Sequence, residues 1–102
     1  MPKAFIEHVN ITVADPERSA NLVANLFGWH IRWQGPSLHG GRTVHVGDDT
    51  SYIAYYAEAT PYRGPWKKGD PLQHIAIVVE DLDDIERRVI AAGLVPFSHG
   101  PR

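Results

Sequence analysis

From Phe5 to Val13 the chain alternates, with Val9, Ile11 and Val13 on one side and His8, Asn10 and Thr12 on the other. A period of two with one apolar side predicts a strand covered on one face. The period then lengthens: Ala20, Val23, Ala24 and Phe27 form the single apolar stripe of a helix. Asp15 is placed to cap that helix, Pro16 suits its first turn and Gly28 its end. Trp29, Ile31 and Trp33 then alternate with His30, Arg32 and Gln34, predicting a second strand. Arg42–Val46 and the aromatic-rich Tyr52–Ala57 predict two more, joined through a Gly47-Asp48-Asp49 turn. Residues 1–58 therefore read as βαβββ. Residues 59–71, with Pro61, Pro65, Pro71, Gly64 and Gly69, read as a linker or flap.

The opening pattern then returns. His8-Val9-Asn10-Ile11-Thr12-Val13-Ala14-Asp15 matches His74-Ile75-Ala76-Ile77-Val78-Val79-Glu80-Asp81 at an offset of 66. Each copy leads into a helical segment ending at a glycine, Gly28 or Gly93, and a Gly-Pro pair follows each, Gly35-Pro36 and Gly100-Pro101. In the second copy Asp81 is the cap and Leu82, Ile85, Val89 and Ala92 supply the stripe, with Asp83–Arg87 and Asp84–Arg88 as helix-face ion pairs. The order of strand, cap, helix, glycine and Gly-Pro is shared, which a chance match of one apolar window does not produce. Residues 72–102 are accordingly expected to be a partial second module. At this offset Arg102 stands opposite Pro36, so counterparts of the last two strands fall outside these residues.

Composition narrows the partners. With 43% hydrophobic and 22% charged residues in a chain of 102, one ordinary domain with one core is expected. A net charge of −2 provides no broad basic surface, which argues against nucleic acid or an anionic membrane as the main partner. Without cysteine there is no disulfide, no thiolate nucleophile and no cysteine-rich zinc site, so any metal must be held by histidine, carboxylate or amide groups. The longest aliphatic run, Ile75–Val79, is far too short to span a bilayer, and Glu7 and His8 interrupt any apolar leader. A cytoplasmic location is the expectation.

Two tandem βαβββ modules, each opening on a His-bearing strand, resemble the vicinal oxygen chelate superfamily, which includes glyoxalase I, extradiol dioxygenases and bleomycin-resistance proteins. Phe5–Glu17 followed by Leu26-Phe27-Gly28-Trp29 looks like the first-module signature of that family, and His74–Asp83 looks like the start of its second half. The resemblance implies an α+β fold in which tandem modules form a curled mixed sheet around a cleft, with the second module incomplete in these residues. It also implies metal ligands from the first and last strands of each module. His8 and His74 match the two first-strand positions, whereas Tyr52–Tyr56 offers no carboxylate and Glu58 lies further on. The glutamate usually contributed by the last strand of the second module has no counterpart here.

Each candidate carries two readings. His8 and His74 share strand parity and repeat position, and can ligate a divalent ion (Fe, Zn, Ni or Mn) or simply hydrogen-bond within a polar cleft. Asn10 and Thr12, on the face of His8, are candidates for substrate binding or for orienting a ligand, or are ordinary sheet polar groups. Gln73 has the opposite parity to His74 and is set aside. Among the aromatics, Trp33 and Tyr55 are expected in the cleft, while most of the others are expected in the core or a subunit contact. His30, His39, His45 and His99 share no spacing and read as solvated or loop histidines. The resemblance thus implies a metal-dependent lyase, isomerase or dioxygenase acting on a small oxygen-bearing substrate. The alternative is a metal-free small-molecule binder of the bleomycin-resistance type. A half-built second module leaves sheet edges and apolar faces to cover, so a homodimer is expected.

Overall fold

The computed structural model describes residues 4–60 and 75–95. Their elements run β1 (His8–Thr12), α1 (Pro16–Phe27), β2 (His30–Pro36), a short 3-10 turn (Leu38–Gly40), β3 (Arg42–Gly47), β4 (Tyr52–Ala57) and α2 (Leu82–Ala91). The first part is the βαβββ unit that the periodicities predict. Its strands form one mixed sheet in the order β1-β4-β3-β2. β1 lies parallel to β4, with His8 opposite Tyr52, and the β2–β3 and β3–β4 pairs are antiparallel.

Local chemistry fixes α1. The Asp15 side chain accepts from the Arg18 backbone N–H at 3.1 Å, and Gly28 closes the helix in the left-handed region at φ 72°. The helix lies on the sheet face formed by Val9, Ile11, Ile31, Val44, Val46, Ile53 and Tyr55, with Ala20 fully buried against it. Full burial of Val44 and Val46 contributes about 1.5–3 kcal/mol each, so this one-sided core holds the first module. Arg42 of β3 reaches over to the first turn of α1, its Nε donating to both Glu17 carboxylate oxygens at 2.9 Å.

α2 repeats the capping chemistry, with Asp81 accepting from the Asp84 N–H at 3.0 Å. Asp84 pairs with Arg87 at 3.4 Å and with Arg88 at 3.1 Å. α2 packs beside α1, whose Leu26 is buried although it lies outside the predicted stripe. Residues 75–80, within the stretch expected to form the first strand of a second module, carry no sheet pairing. A strand needs a partner backbone, and among the described residues none lies alongside this segment. The 59–71 linker lies outside the described residues from position 61 onward, as do Leu72, Gln73, His74 and His99. No helix among the described residues is long and apolar enough to cross a membrane.

Candidate functional site

Helix α1 covers one face of the sheet, and strand parity puts the polar positions on the other. From β1 that open face receives His8, Asn10 and Thr12, all exposed. The parallel register sets them beside Tyr52, Ala54 and Tyr56 of β4, and the antiparallel register adds Thr43 and His45 of β3. Trp33 joins them for a different reason. Simple alternation would place it with Ile31 on the core side, but the β2–β3 register shifts between Ile31, opposite Val46, and Trp33, opposite His45. This bulge at Arg32 turns both Arg32 and Trp33 towards the open face.

The result is a ladder of rings across all four strands. His8 stacks on Tyr52 with centroids 4.7 Å apart and planes 8° from parallel, and Tyr52 stacks on His45 at 4.6 Å. Trp33 tilts against His45 at 5.1 Å. Each such contact is worth about 0.5–1.5 kcal/mol when well formed, so the rings hold one another in place. The Arg32 guanidinium sits 4.4 Å over the Tyr52 ring and donates to the Asp48 carbonyl at 3.1 Å. At the other side Glu7 accepts from His8 Nδ1 at 3.0 Å, and the Tyr52 hydroxyl reaches the same carboxylate at 3.5 Å. Gly35 makes the ladder possible: a Cβ there would stand 2.8 Å from Trp33 Cζ2, so the indole lies across the bare backbone.

The surroundings of His45 disfavour its protonation. Its burial, then the neighbouring His8 and Arg32, lower its pKa below the ordinary imidazole value, with Glu7 opposing. The Asp48 carboxyl is also lowered, chiefly because it accepts from the Ser51 and Thr50 backbone N–H groups.

The sequence-derived site is therefore only partly brought together. His8, Asn10, Thr12 and Trp33 share the open face. Tyr55 does not: it pairs beside Ile11 and Val44, is 9% exposed, and belongs to the core beneath α1, where burial pushes its phenol pKa up. Tyr52 takes the place expected of it, and His45, read from spacing as a solvated histidine, is the central rung. Parity within Arg42–Val46, where His45 alternates with two buried valines, was the signal that could have found it. His74 lies outside the described residues.

Metal-binding chemistry fits His8 in one respect. Its Nδ1 is occupied by a carboxylate, the usual way a metal-binding imidazole is oriented, which leaves Nε2 as the donor. The sheet positions beside it on the same face are Tyr52 and Ala54, neither a carboxylate. Glu58 follows the end of β4, six residues from Tyr52 and so roughly 20 Å along the strand direction, too far to share an ion with His8. No group of three His, Cys, Asp or Glu side chains gathers at a possible metal site among the described residues.

The family model of the Glyoxalase/Bleomycin resistance protein/Dioxygenase superfamily matches residues 5–102. The fold is similar to that of the trypanothione-dependent Leishmania major glyoxalase I, with a TM-score of 0.74 at 19% identity over 98% of this chain and 73% of that one. An integron cassette protein from the mobile metagenome of V. cholerae is also similar, with a TM-score of 0.53 at 16% identity over 100% of this chain and 77% of that one. No curated protein sequence matches the chain.

Proposed function

Because the chain belongs to the Glyoxalase/Bleomycin resistance protein/Dioxygenase superfamily, we propose that it handles a small molecule on the open face of its sheet. The observation that carries this reading is the ring ladder His8–Tyr52–His45–Trp33, an aromatic surface on the sheet face opposite α1. Asn10 and Thr12 extend it with hydrogen-bonding groups, and Trp33, 48% exposed, offers the largest free ring area. Residues 1–58 act in this reading as the first module, and residues 72–102 as the start of a second. The test is a small-molecule screen by NMR on the full chain. Binders should move the resonances of Trp33, His45 and Tyr52, and hits that consistently move only core or α2 resonances would displace the site from this face.

A second reading, metal-dependent lyase, isomerase or dioxygenase-type chemistry on an oxygen-bearing substrate, is favoured by the Glu7–His8 contact. His8 and His74 would hold the divalent ion (Fe, Zn, Ni or Mn), which as a Lewis acid polarises substrate oxygens when bound. In this reading Glu7 orients the His8 imidazole and keeps its tautomer fixed, while the ladder positions the substrate. Metal titration of the full chain tests it. His8→Ala and His74→Ala should each abolish stoichiometric binding, and Glu7→Gln should weaken it about 10–100-fold. Undiminished binding in His8→Ala would remove this reading while leaving the small-molecule site intact.

A further inference from the structure

Resting on the reading that the open sheet face binds a small molecule, we propose that its ligand is a flat aromatic anion, stacked on Trp33 and held by Arg32. Two independent observations meet here. The first is shape. The indole of Trp33 lies across Gly35 and against His45, so one side of the ring is supported while the residue stays half-exposed. A supported ring with a free face accepts another flat π-system with little loss of side-chain freedom. Asn10 and Thr12, both exposed, add only short side chains to the open face beside the ladder.

The second observation is charge. Arg32 is turned onto the open face by the same bulge that turns Trp33. Its guanidinium is braced over the Tyr52 ring and spends one N–H on the Asp48 carbonyl. No carboxylate among the described residues lies within ion-pair distance of it, whereas Arg42, Arg87 and Arg88 each have one. Of the carboxylates near the ladder, Glu7 is taken up by His8 and the Tyr52 hydroxyl, and Asp48, which feels the charge of Arg32, accepts from the Thr50 and Ser51 backbone N–H groups. A stacked guanidinium keeps its N–H edge free and pre-organised for a carboxylate or phenolate oxygen. A cationic aromatic would instead meet Arg32 as a like charge. Arg32 is thus the residue that selects the charge of the ligand, and Trp33 the one that selects its flatness.

The probes are 2-naphthoate and the isosteric neutral 2-naphthamide, titrated into the full chain and followed by the Trp33 indole N–H resonance. The naphthoate should bind at least about tenfold more tightly than the amide at neutral pH, a difference that shrinks as salt rises. Arg32→Met should bring naphthoate down to the level of the amide, removing the charge preference. Trp33→Leu should weaken both by a similar factor. Equal binding of the two probes at Trp33 would overturn the proposal and leave the small-molecule site standing. A preference for naphthoate that survives in Arg32→Met would also overturn it. If neither probe moves Trp33, His45 or Tyr52, the proposal falls together with the reading on which it rests.

Discussion

Two glycines of the open face make a controlled contrast, because a methyl group at each would meet a different kind of obstacle. At Gly47 it would lie 2.2 Å from the Ser51 carbonyl oxygen and 2.5 Å from Tyr52 Cα, both backbone atoms. Ordinary contact begins near 3.4 Å, so the β3–β4 hairpin must open by roughly 1 Å. That opening strains the Asp48 N–H bond to the Ser51 carbonyl, 3.0 Å in the native turn. Overpacking costs about 1–3 kcal/mol and a weakened hydrogen bond about 1 kcal/mol. The loss of unfolded-chain freedom from Gly→Ala returns only about 0.4–1 kcal/mol. Gly47→Ala should therefore destabilise by about 2–3 kcal/mol, lowering Tm by about 10–20 °C at the usual scaling for a small domain. At Gly35 the obstacle is the tip of a side chain, Trp33 Cζ2 at 2.8 Å and Cη2 at 3.0 Å. There the indole can lift, sacrificing its contact with His45 for about 0.5–1.5 kcal/mol, and most of that is offset by the same unfolded-state effect. Gly35→Ala should stay within about 1 kcal/mol of the parent while its ligand response at Trp33 collapses. Urea unfolding with shared m-values measures both. A Gly47→Ala variant that loses less than about 1 kcal/mol, or a Gly35→Ala variant as unstable as Gly47→Ala, would refute the account of how the rings are seated.

Stability should also depend on acid through His45. Its folded pKa lies below the unfolded value of 6.5, so its contribution is fully present above that pH and is lost as pH falls through the folded pKa. His45→Gln should flatten that part of the stability curve, and a parallel curve would assign the slope to other groups. Removing the α1 cap with Asp15→Ala should cost about 1 kcal/mol, read as a shift in urea midpoint, and no change would contradict the Asp15–Arg18 bond. A twofold dimer is expected, covering exposed apolar side chains such as Ile77, Val78, Leu82 and Ile90. Sedimentation at micromolar concentration should show it, and a monomer at that concentration would dismiss the dimer.

The sequence by itself determined whatever depends on neighbours along the chain. The alternation from His8 to Val13, the Asp15 and Asp81 caps, the Gly28 stop and the order βαβββ are all set by residues within a turn or a strand of one another, so their physics is readable locally. Even the open side of β1 was legible, because parity alone separates His8, Asn10 and Thr12 from the valines and Ile11. Tertiary structure decided which residues meet. Tyr55 and Tyr52 look equally eligible on paper, and only the parallel pairing of His8 with Tyr52 assigns one to the core and the other to the ladder. Trp33 reached the open face through a bulge, and a bulge is a property of two strands in register rather than of the strand that contains it. His45 became the central rung because β3 lies between β2 and β4. Register and strand order are set by contacts between residues far apart in sequence, which is why the elements could be read from the chain and the site had to await the fold.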